Sequence, residues 1–180
     1  MTPTRLILAD DHEVVRAGLR NALLQLPDLD MVAEVGTGPG LTETLARHPI
    51  DLLIVDVAMP DFEPISAVRQ IKAQYPDLKV LVVGAHADES YVVGLLDVGV
   101  NGYHLKDQPL ADLQLAVQRV LAGDRWISGP LVERLTLKLV RWLYRKRLRE
   151  LIALVPADAG AEILAASENI KGPVGDVSLN

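Results

Sequence analysis

The sequence contains no cysteine, which excludes a disulfide framework and any site built on a thiolate ligand or nucleophile. Aromatic residues are also few, with one Phe, two Trp and four Tyr, so Leu, Val and Ala must fill the core. No apolar run approaches the roughly 18–20 residues that a membrane-spanning helix needs. Asp10 and Asp11 precede any long apolar run, so we expect no signal peptide and a cytoplasmic protein.

Charge is distributed unevenly along the 180 residues. Residues 1–125 carry 10 Lys and Arg against 18 Asp and Glu, a net charge of −8. Residues 126–180 carry 8 against 6, a net charge of +2. This change of sign predicts a second functional unit that begins near residue 126.

Short β-rich runs alternate with amphipathic helical patterns through the first 125 residues. The candidate strands are Arg5–Ala9, Met31–Val35, Asp51–Val55, Lys79–Val83 and Gly102–Leu105. The central runs are apolar without alternation, which is typical of parallel strands covered on both faces. Repeated β-α units predict an α/β fold with a five-stranded, doubly wound parallel sheet, followed by a small all-α C-terminal region. In such a sheet, ligands bind beyond the carboxyl ends of the strands.

Acidic residues follow two of the predicted strands. Asp10 and Asp11 follow the first strand, and Asp56 follows the third. If these strands are neighbours, the three carboxylates converge, and a divalent cation such as Mg²⁺ relieves their repulsion. An aspartate beside Mg²⁺ can attack phosphorus, and Lys106, after the fifth strand, can face the phosphoryl oxygens. The alternative is that these four residues are ordinary solvated loop residues. It is less favoured because all four lie at the ends of predicted strands.

Three runs in this part of the chain carry a resemblance to a known family. They are Ala9–Leu19 (ADDHEVVRAGL), Asp51–Pro60 (DLLIVDVAMP) and Gly99–Asp107 (GVNGYHLKD). Together they resemble the motifs of bacterial two-component response regulators of the NarL/LuxR type, and the likeness extends in order and spacing through residues 1–128. The resemblance implies a flavodoxin-like, CheY-like receiver domain over residues 1–126. It also implies a cognate histidine kinase as partner.

The resemblance implies roles for individual residues. Asp56 is the expected phosphoacceptor, supplied by a histidine kinase or by small acyl phosphates. Asp11 is the expected direct Mg²⁺ ligand, and Asp10 helps through water. The backbone carbonyl of Ala58 completes the protein's share of the metal site, and Lys106 holds the phosphoryl group.

Two positions depart from the family's pattern. The family has Ser or Thr at the end of the fourth strand, where this chain has Gly84. Losing a hydrogen bond to a charged group costs about 1.5–3 kcal/mol unless water or the backbone amide of Ala85 replaces it at the phosphoryl group. Pro64 also stands where Gly is usual. Since Tyr103 is the expected switch aromatic, which turns inward on activation, these departures predict phosphorylation with atypical switching.

The sequence of the C-terminal region predicts two segments. Residues 127–155 indicate a long linker or first output helix, which Pro156 ends, and residues 156–180 a partial or degenerate LuxR-type helix-turn-helix region. Leu148–Leu154 resembles the first helix of that output domain, and Ala161–Ala165 the helix before the recognition helix. Two glycines and a proline within Ile170–Asp176 oppose a recognition helix. Specific DNA binding by this chain is therefore in question.

The predicted linker helix carries basic residues and an apolar stripe. The six basic residues are Lys138, Arg141, Arg145, Lys146, Arg147 and Arg149. They are possible contacts to nucleic-acid phosphates, to an acidic receiver surface or to an anionic membrane, and a solvated helix face is the alternative. The apolar stripe needs burial, which a homodimer or packing on the receiver would provide.

Three functions follow from these patterns. The first is a response regulator that controls transcription, and the second is a phospho-dependent protein–protein interaction and dimerisation module without specific DNA binding. The third is a phosphatase of the haloacid-dehalogenase type, which needs a second aspartate two residues after the nucleophile. Ala58 follows Asp56 at that distance, and His12 follows Asp10, so the enzyme hypothesis fails on spacing. Neither His12 nor His104 is expected to be catalytic.

Overall fold

The structure is a computed structural model that describes residues 2–85, 88–137 and 144–145. The contacts divide the chain into two units, Met1–Leu131 and Val132–Asn180. In the first unit the strands are β1 Thr4–Ala9, β2 Leu29–Val35, β3 Leu52–Asp56, β4 Lys79–Gly84, β5 Gly102–Leu105 and β6 Trp126–Ile127. The helices between them are α1 Glu13–Leu23, α2 Gly38–Arg47, α3 Pro64–Gln74, α4 Glu89–Asp97 and α5 Leu110–Leu121.

The strands form one parallel sheet in the order β2-β1-β3-β4-β5-β6. The chain starts at β1, the second strand from one edge, continues to β2 at that edge, and then crosses back over β1 to β3 and onward. This arrangement confirms the predicted doubly wound, flavodoxin-like fold. All carboxyl ends of the strands therefore meet at one edge of the sheet, where a ligand site is expected.

Apolar side chains from the helices cover both faces of the sheet. On one face α1 and α5 contribute Leu19, Leu23, Leu113, Ala116, Val117 and Val120. On the other face α2, α3 and α4 contribute Leu41, Leu45, Val68, Val92 and Leu95. Burial on both faces explains why the central strands read as continuous apolar runs.

The structure adds a sixth strand to the five that the sequence predicts. β6 is only two residues long and pairs with β5 through Gly102–Trp126 and Tyr103–Ile127. Two residues are too few for a hydrophobic pattern, so the prediction of five strands was one short. Gly102 permits the approach, since a Cβ there would lie 3.0 Å from the Cβ of Trp126.

Residues 129–137 are helical, as are 144–145, where the sequence predicts a long helix. Leu131 is fully buried in the same apolar cluster as the residues of α2, α3 and α4. Segment 156–180 lies outside the described residues, so its assignment stays a prediction. Among the described residues, no helix combines the length and apolar character needed to cross a membrane.

Candidate functional site

Two buried carboxylates and one lysine lie together at the carboxyl edge of the sheet. Asp10 follows β1 and Asp56 ends β3, and these strands are adjacent. The Nζ atom of Lys106, just after β5, lies 2.7 Å from Oδ2 of Asp56 and 2.8 Å from Oδ2 of Asp10. The two aspartates are only 2% and 1% exposed. One ammonium group therefore offsets two buried negative charges.

The surroundings of Lys106 keep it charged. Burial lowers the pKa of Lys106, but its hydrogen bonds to Asp10 and Asp56 and the charges of both carboxylates raise it. The net result is a pKa above the ordinary value of 10.5. A fixed positive charge at this position suits the stabilisation of an anionic group at the same edge.

A cluster of possible metal ligands surrounds this ion pair. One ligand atom from each of Asp10, Asp11, His12 and Asp56 lies within 4.8 Å of the others. Three carboxylates against one lysine leave two negative charges, which match one divalent cation. Carboxylate oxygens are the ligands that Mg²⁺ prefers, so the donor set fits that ion.

His12 belongs to this cluster although no role for it was predicted from the sequence. Its Nδ1 lies 2.8 Å from Oδ1 of Asp11, and the side chain is 61% exposed. The backbone N–H of His12 also donates to Oδ1 of Asp10 at 2.8 Å. The signal for this placement was its position directly after two metal-ligand candidates.

The loops that carry the acidic residues are held by local hydrogen bonds. The N–H of Ala58 donates to Oδ1 of Asp56 at 3.0 Å, which places Ala58 directly beside the carboxylate. The guanidinium of Arg16, in α1, donates to the backbone carbonyl of Asp10. The sequence assigned no role to Arg16, because its contact depends on how α1 packs after β1.

Gly84 ends β4 beside the same cluster, and the fully buried ring of Tyr103 lies against it. A Cβ at position 84 would stand 2.5 Å from the hydroxyl oxygen of Tyr103 and 3.2 Å from its Cζ. The predicted switch aromatic is therefore turned inward. Ala85 is exposed at the next position, and the N–H of Lys106 donates to the carbonyl of Gly84 at 3.0 Å.

Two tyrosine hydroxyls lie within the electrostatic influence of Asp56. Burial and the charges of Asp56 and Glu63 raise the pKa of Tyr91 to about 12. Burial, Tyr91 and Asp56 raise the pKa of Tyr103 as well. Both phenols keep their protons at neutral pH. No motif pointed to Tyr91, because its position depends on the packing of α4.

Most of the predicted C-terminal contacts lie beyond the part of the chain that the structure describes. Arg145 is described, and it is exposed and helical. The other five basic residues lie outside the described residues: Lys138, Arg141, Lys146, Arg147 and Arg149. Their proposed contact with nucleic acid stays a prediction.

Comparison with known proteins identifies the family of the N-terminal part of the chain. Residues 6–118 match the response regulator receiver domain family. The transcriptional regulatory protein DegU of Brevibacillus brevis is 33% identical over 131 residues, which cover 73% of this chain and 56% of DegU. The oxygen regulatory protein NreC of Staphylococcus epidermidis is 34% identical over 132 residues, which cover 73% of this chain and 61% of NreC. The chain thus spans less than two thirds of these relatives.

Solved structures show the same fold. The isolated REC domain of RcsB from Salmonella enterica serovar Typhimurium, with phosphomimetic BeF3−, has a TM-score of 0.70 at 25% identity and covers 73% of this chain and 98% of its own. A LuxR-family two-component response regulator from Aurantimonas sp. SI85-9A1 has a TM-score of 0.73 at 25% identity and covers 77% and 99%. The resemblance to NarL/LuxR-type regulators is confirmed, and the chain belongs to the response regulator receiver domain family.

Proposed function

We propose that this chain is the phosphoaccepting part of a two-component response regulator and that Asp56 receives the phosphoryl group. The observation that carries the proposal is the shared contact of the Lys106 ammonium with the buried carboxylates of Asp56 and Asp10. A lysine used only for stability needs no second acid at this edge. The family match over residues 6–118 supports the same reading.

The chemistry begins with an Asp56 carboxylate oxygen attacking the phosphorus of the donor. The P–N bond of a phosphohistidine, or the P–O bond of a small acyl phosphate, breaks, and its electron pair leaves with the donor group. Asp56 then carries an acyl phosphate. The Lys106 ammonium, which contacts Asp56 at 2.7 Å, moves to the new phosphoryl oxygens and offsets their charge.

Asp11, Asp56 and the carbonyl of Ala58 would hold Mg²⁺, with Asp10 helping through water. The ion supplies positive charge to the phosphoryl oxygens when it is bound. Asp11 is the most exposed of the three carboxylates, at 26%, so it offers the entry side of the site. The N–H of Ala58 fixes one oxygen of Asp56 and leaves the carbonyl of the same residue close to that carboxylate.

Incubation with acetyl phosphate and Mg²⁺, followed by intact-protein mass spectrometry, tests this proposal. Wild type should gain one phosphoryl group, and Asp56→Asn should gain none. Asp97→Asn is the matched control, because Asp97 is an exposed acid at the end of α4, remote from the site. It should be labelled like wild type.

Equal labelling of wild type and Asp56→Asn would move the phosphoacceptor elsewhere. Labelling that persists in excess EDTA would contradict the metal requirement. Lys106→Met should be labelled poorly even where it remains folded by circular dichroism. Normal labelling of that folded variant would show that the lysine charge is dispensable.

We further propose a cytoplasmic protein that controls transcription and is phosphorylated by a cognate histidine kinase. The relative DegU is a transcriptional regulatory protein, which supports this output. A homodimer is the proposed assembly, since the helical residues 129–137 include exposed apolar side chains such as Val132 and Leu137, both 46% exposed. The receiver is not proposed to turn over a substrate of its own.

Gel shifts across a salt series, with specific and scrambled DNA, test the output. Sequence-specific binding should survive salt that abolishes binding to scrambled DNA. Equal salt sensitivity for both would remove specific DNA binding and favour the protein–protein interaction module. Sedimentation with and without the phosphoryl donor measures the proposed dimer in the same samples.

A further inference from the structure

We propose that the absence of a side chain at Gly84 lets Tyr103 occupy its inward position before any phosphoryl group arrives, so that this ring does not move on phosphorylation. The inference rests on the proposed function only for its second half. Its first half concerns the resting protein and is independent of Asp56 chemistry. It assigns residue 84 as the determinant of the ring's position.

The contact between the two residues is steric. A Cβ on the observed backbone of Gly84 would lie 2.5 Å from the Tyr103 hydroxyl oxygen, whereas favourable contacts between nonbonded heavy atoms lie at about 3.5–4.0 Å. The same Cβ would lie 3.2 Å from Cζ of Tyr103 and 3.2 Å from Cγ2 of Val57. A side chain at position 84 and the inward ring therefore compete for one volume.

The backbone and surroundings of Tyr103 restrict how its ring can move away from this overlap. Tyr103 is fixed on both sides in the sheet, opposite Val82 on β4 and Ile127 on β6. Its side chain is fully buried, and it packs in the cluster that includes Leu131. Because a phenol ring is rigid, its hydroxyl leaves the volume at position 84 through rotation about the side-chain torsions.

Two consequences follow for the regulation of this site. Because Gly84 lacks a side chain, the inward ring meets no competitor in the resting protein. Because the ring is already inward, its arrival cannot report the phosphoryl group. Movement of the Lys106 ammonium is then a route from Asp56 to the end of β5, since the N–H of Lys106 also donates to the carbonyl of Gly84.

Fluorine NMR of the full chain labelled with 3-fluorotyrosine tests the proposal. Tyr103→Phe assigns the Tyr103 resonance, and a soluble paramagnetic agent reports its exposure. In wild type the resonance should resist broadening, both without additives and with beryllium fluoride and Mg²⁺. In Gly84→Ala and Gly84→Thr, without additives, it should broaden strongly. Gly18→Ala is the matched control, since a Cβ at position 18 meets nothing within 4 Å, and it should resemble wild type.

Each result decides one part of the proposal. A wild-type resonance that is exposed at rest and becomes shielded with beryllium fluoride would overturn it. A resonance that stays shielded in folded Gly84→Ala would remove residue 84 as the determinant. If a Gly84 variant fails to fold, the wild-type comparison still decides the first question. Failure of acetyl phosphate labelling would refute the proposed function without touching the resting-state result.

Discussion

Replacing Lys106 with Met is the sharpest test of the site's electrostatics. Methionine has nearly the length and volume of lysine, so the substitution removes the charge with little change in packing. It leaves Asp10 and Asp56, which are 1% and 2% exposed, without their shared cation. The folded state then holds two buried negative charges beside Asp11.

The magnitude follows from the burial of the two acids. Removing one partner of a buried ion pair costs about 3–5 kcal/mol, because the other partner keeps its desolvation penalty. With a urea m-value of about 2 kcal/mol per M, a loss of 3 kcal/mol lowers the unfolding midpoint by about 1.5 M. This is a large part of a stability that is typically about 5–15 kcal/mol.

Urea unfolding at pH 7 in EDTA and in excess Mg²⁺ measures the effect. In EDTA, Lys106→Met should be less stable than wild type. Addition of Mg²⁺ should raise the free energy of unfolding more in Lys106→Met than in wild type, because the site of the variant carries one more unit of negative charge. A tenfold tighter ion adds about 1.4 kcal/mol of stabilisation at saturation. The double variant Asp10→Asn, Lys106→Met should be more stable than Lys106→Met alone, since it removes one of the two unpaired charges.

An unchanged midpoint of Lys106→Met in EDTA would refute this account of the site. It would mean that water reaches the carboxylates and that their low exposure has no electrostatic cost. Additive effects in the double variant would refute the coupling between the lysine and Asp10. Residues in one ion-pair network normally show a coupling of about 0.5–3 kcal/mol.

Three further perturbations address the surrounding fold. Burial lowers the pKa of His104, against weaker opposing charges, so the unfolded chain binds the proton more readily and stability falls as pH drops below 6.5. His104→Leu should weaken the fall of the urea midpoint as the pH drops below 6.5. Gly38→Ala places a Cβ 2.2 Å from a carbonyl oxygen in the β3–α3 loop and should lower stability by about 1–3 kcal/mol in thermal unfolding, whereas Gly18→Ala should not. Ser128→Ala removes the acceptor of the buried Leu105 N–H at 2.9 Å and should cost about 1–3 kcal/mol in urea unfolding.

Each of these has a result that would count against it. An equally steep pH dependence in His104→Leu would place the titrating group elsewhere. Equal stability of Gly38→Ala and Gly18→Ala would show that the loop can retreat at no cost. Ser66→Ala is the control for Ser128→Ala, because Ser66 is exposed, and similar losses in both variants would show that burial of the hydrogen bond is irrelevant.

The sequence predicted the strands best where burial on both faces dictates composition. The run Leu52–Asp56 is buried throughout. Its first four residues are apolar, and Asp56 at its end is acidic. Since parallel strands share one carboxyl edge, the sequence alone predicts that Asp10, Asp56 and Lys106 lie at that edge. Their convergence follows from strand direction together with the strand order β1-β3-β4-β5, and it needs no knowledge of side-chain packing.

Features that depend on packing between distant elements could not be predicted in the same way. β6 has two residues and exists because Gly102 leaves room beside it. The absence of a hydroxyl at Gly84 was visible in the sequence, but the filling of that volume by Tyr103 was not. A pattern along one strand carries no information on which ring lies against it from the next strand.

β5 connects the site to the point where the chain leaves the first unit. Its last residue precedes Lys106, and the carbonyl of Tyr103 accepts a hydrogen bond from the N–H of Ser128 at 3.0 Å. Ser128 in turn accepts from the N–H of Leu105, and Leu131, at the end of this unit, is buried in the same cluster as Tyr103. If the ring of Tyr103 stays fixed, these hydrogen bonds allow a displacement of β5 itself to carry a change at Lys106 toward residue 131. A receiver of this kind would transmit its state through the strand's backbone rather than through an aromatic rotamer.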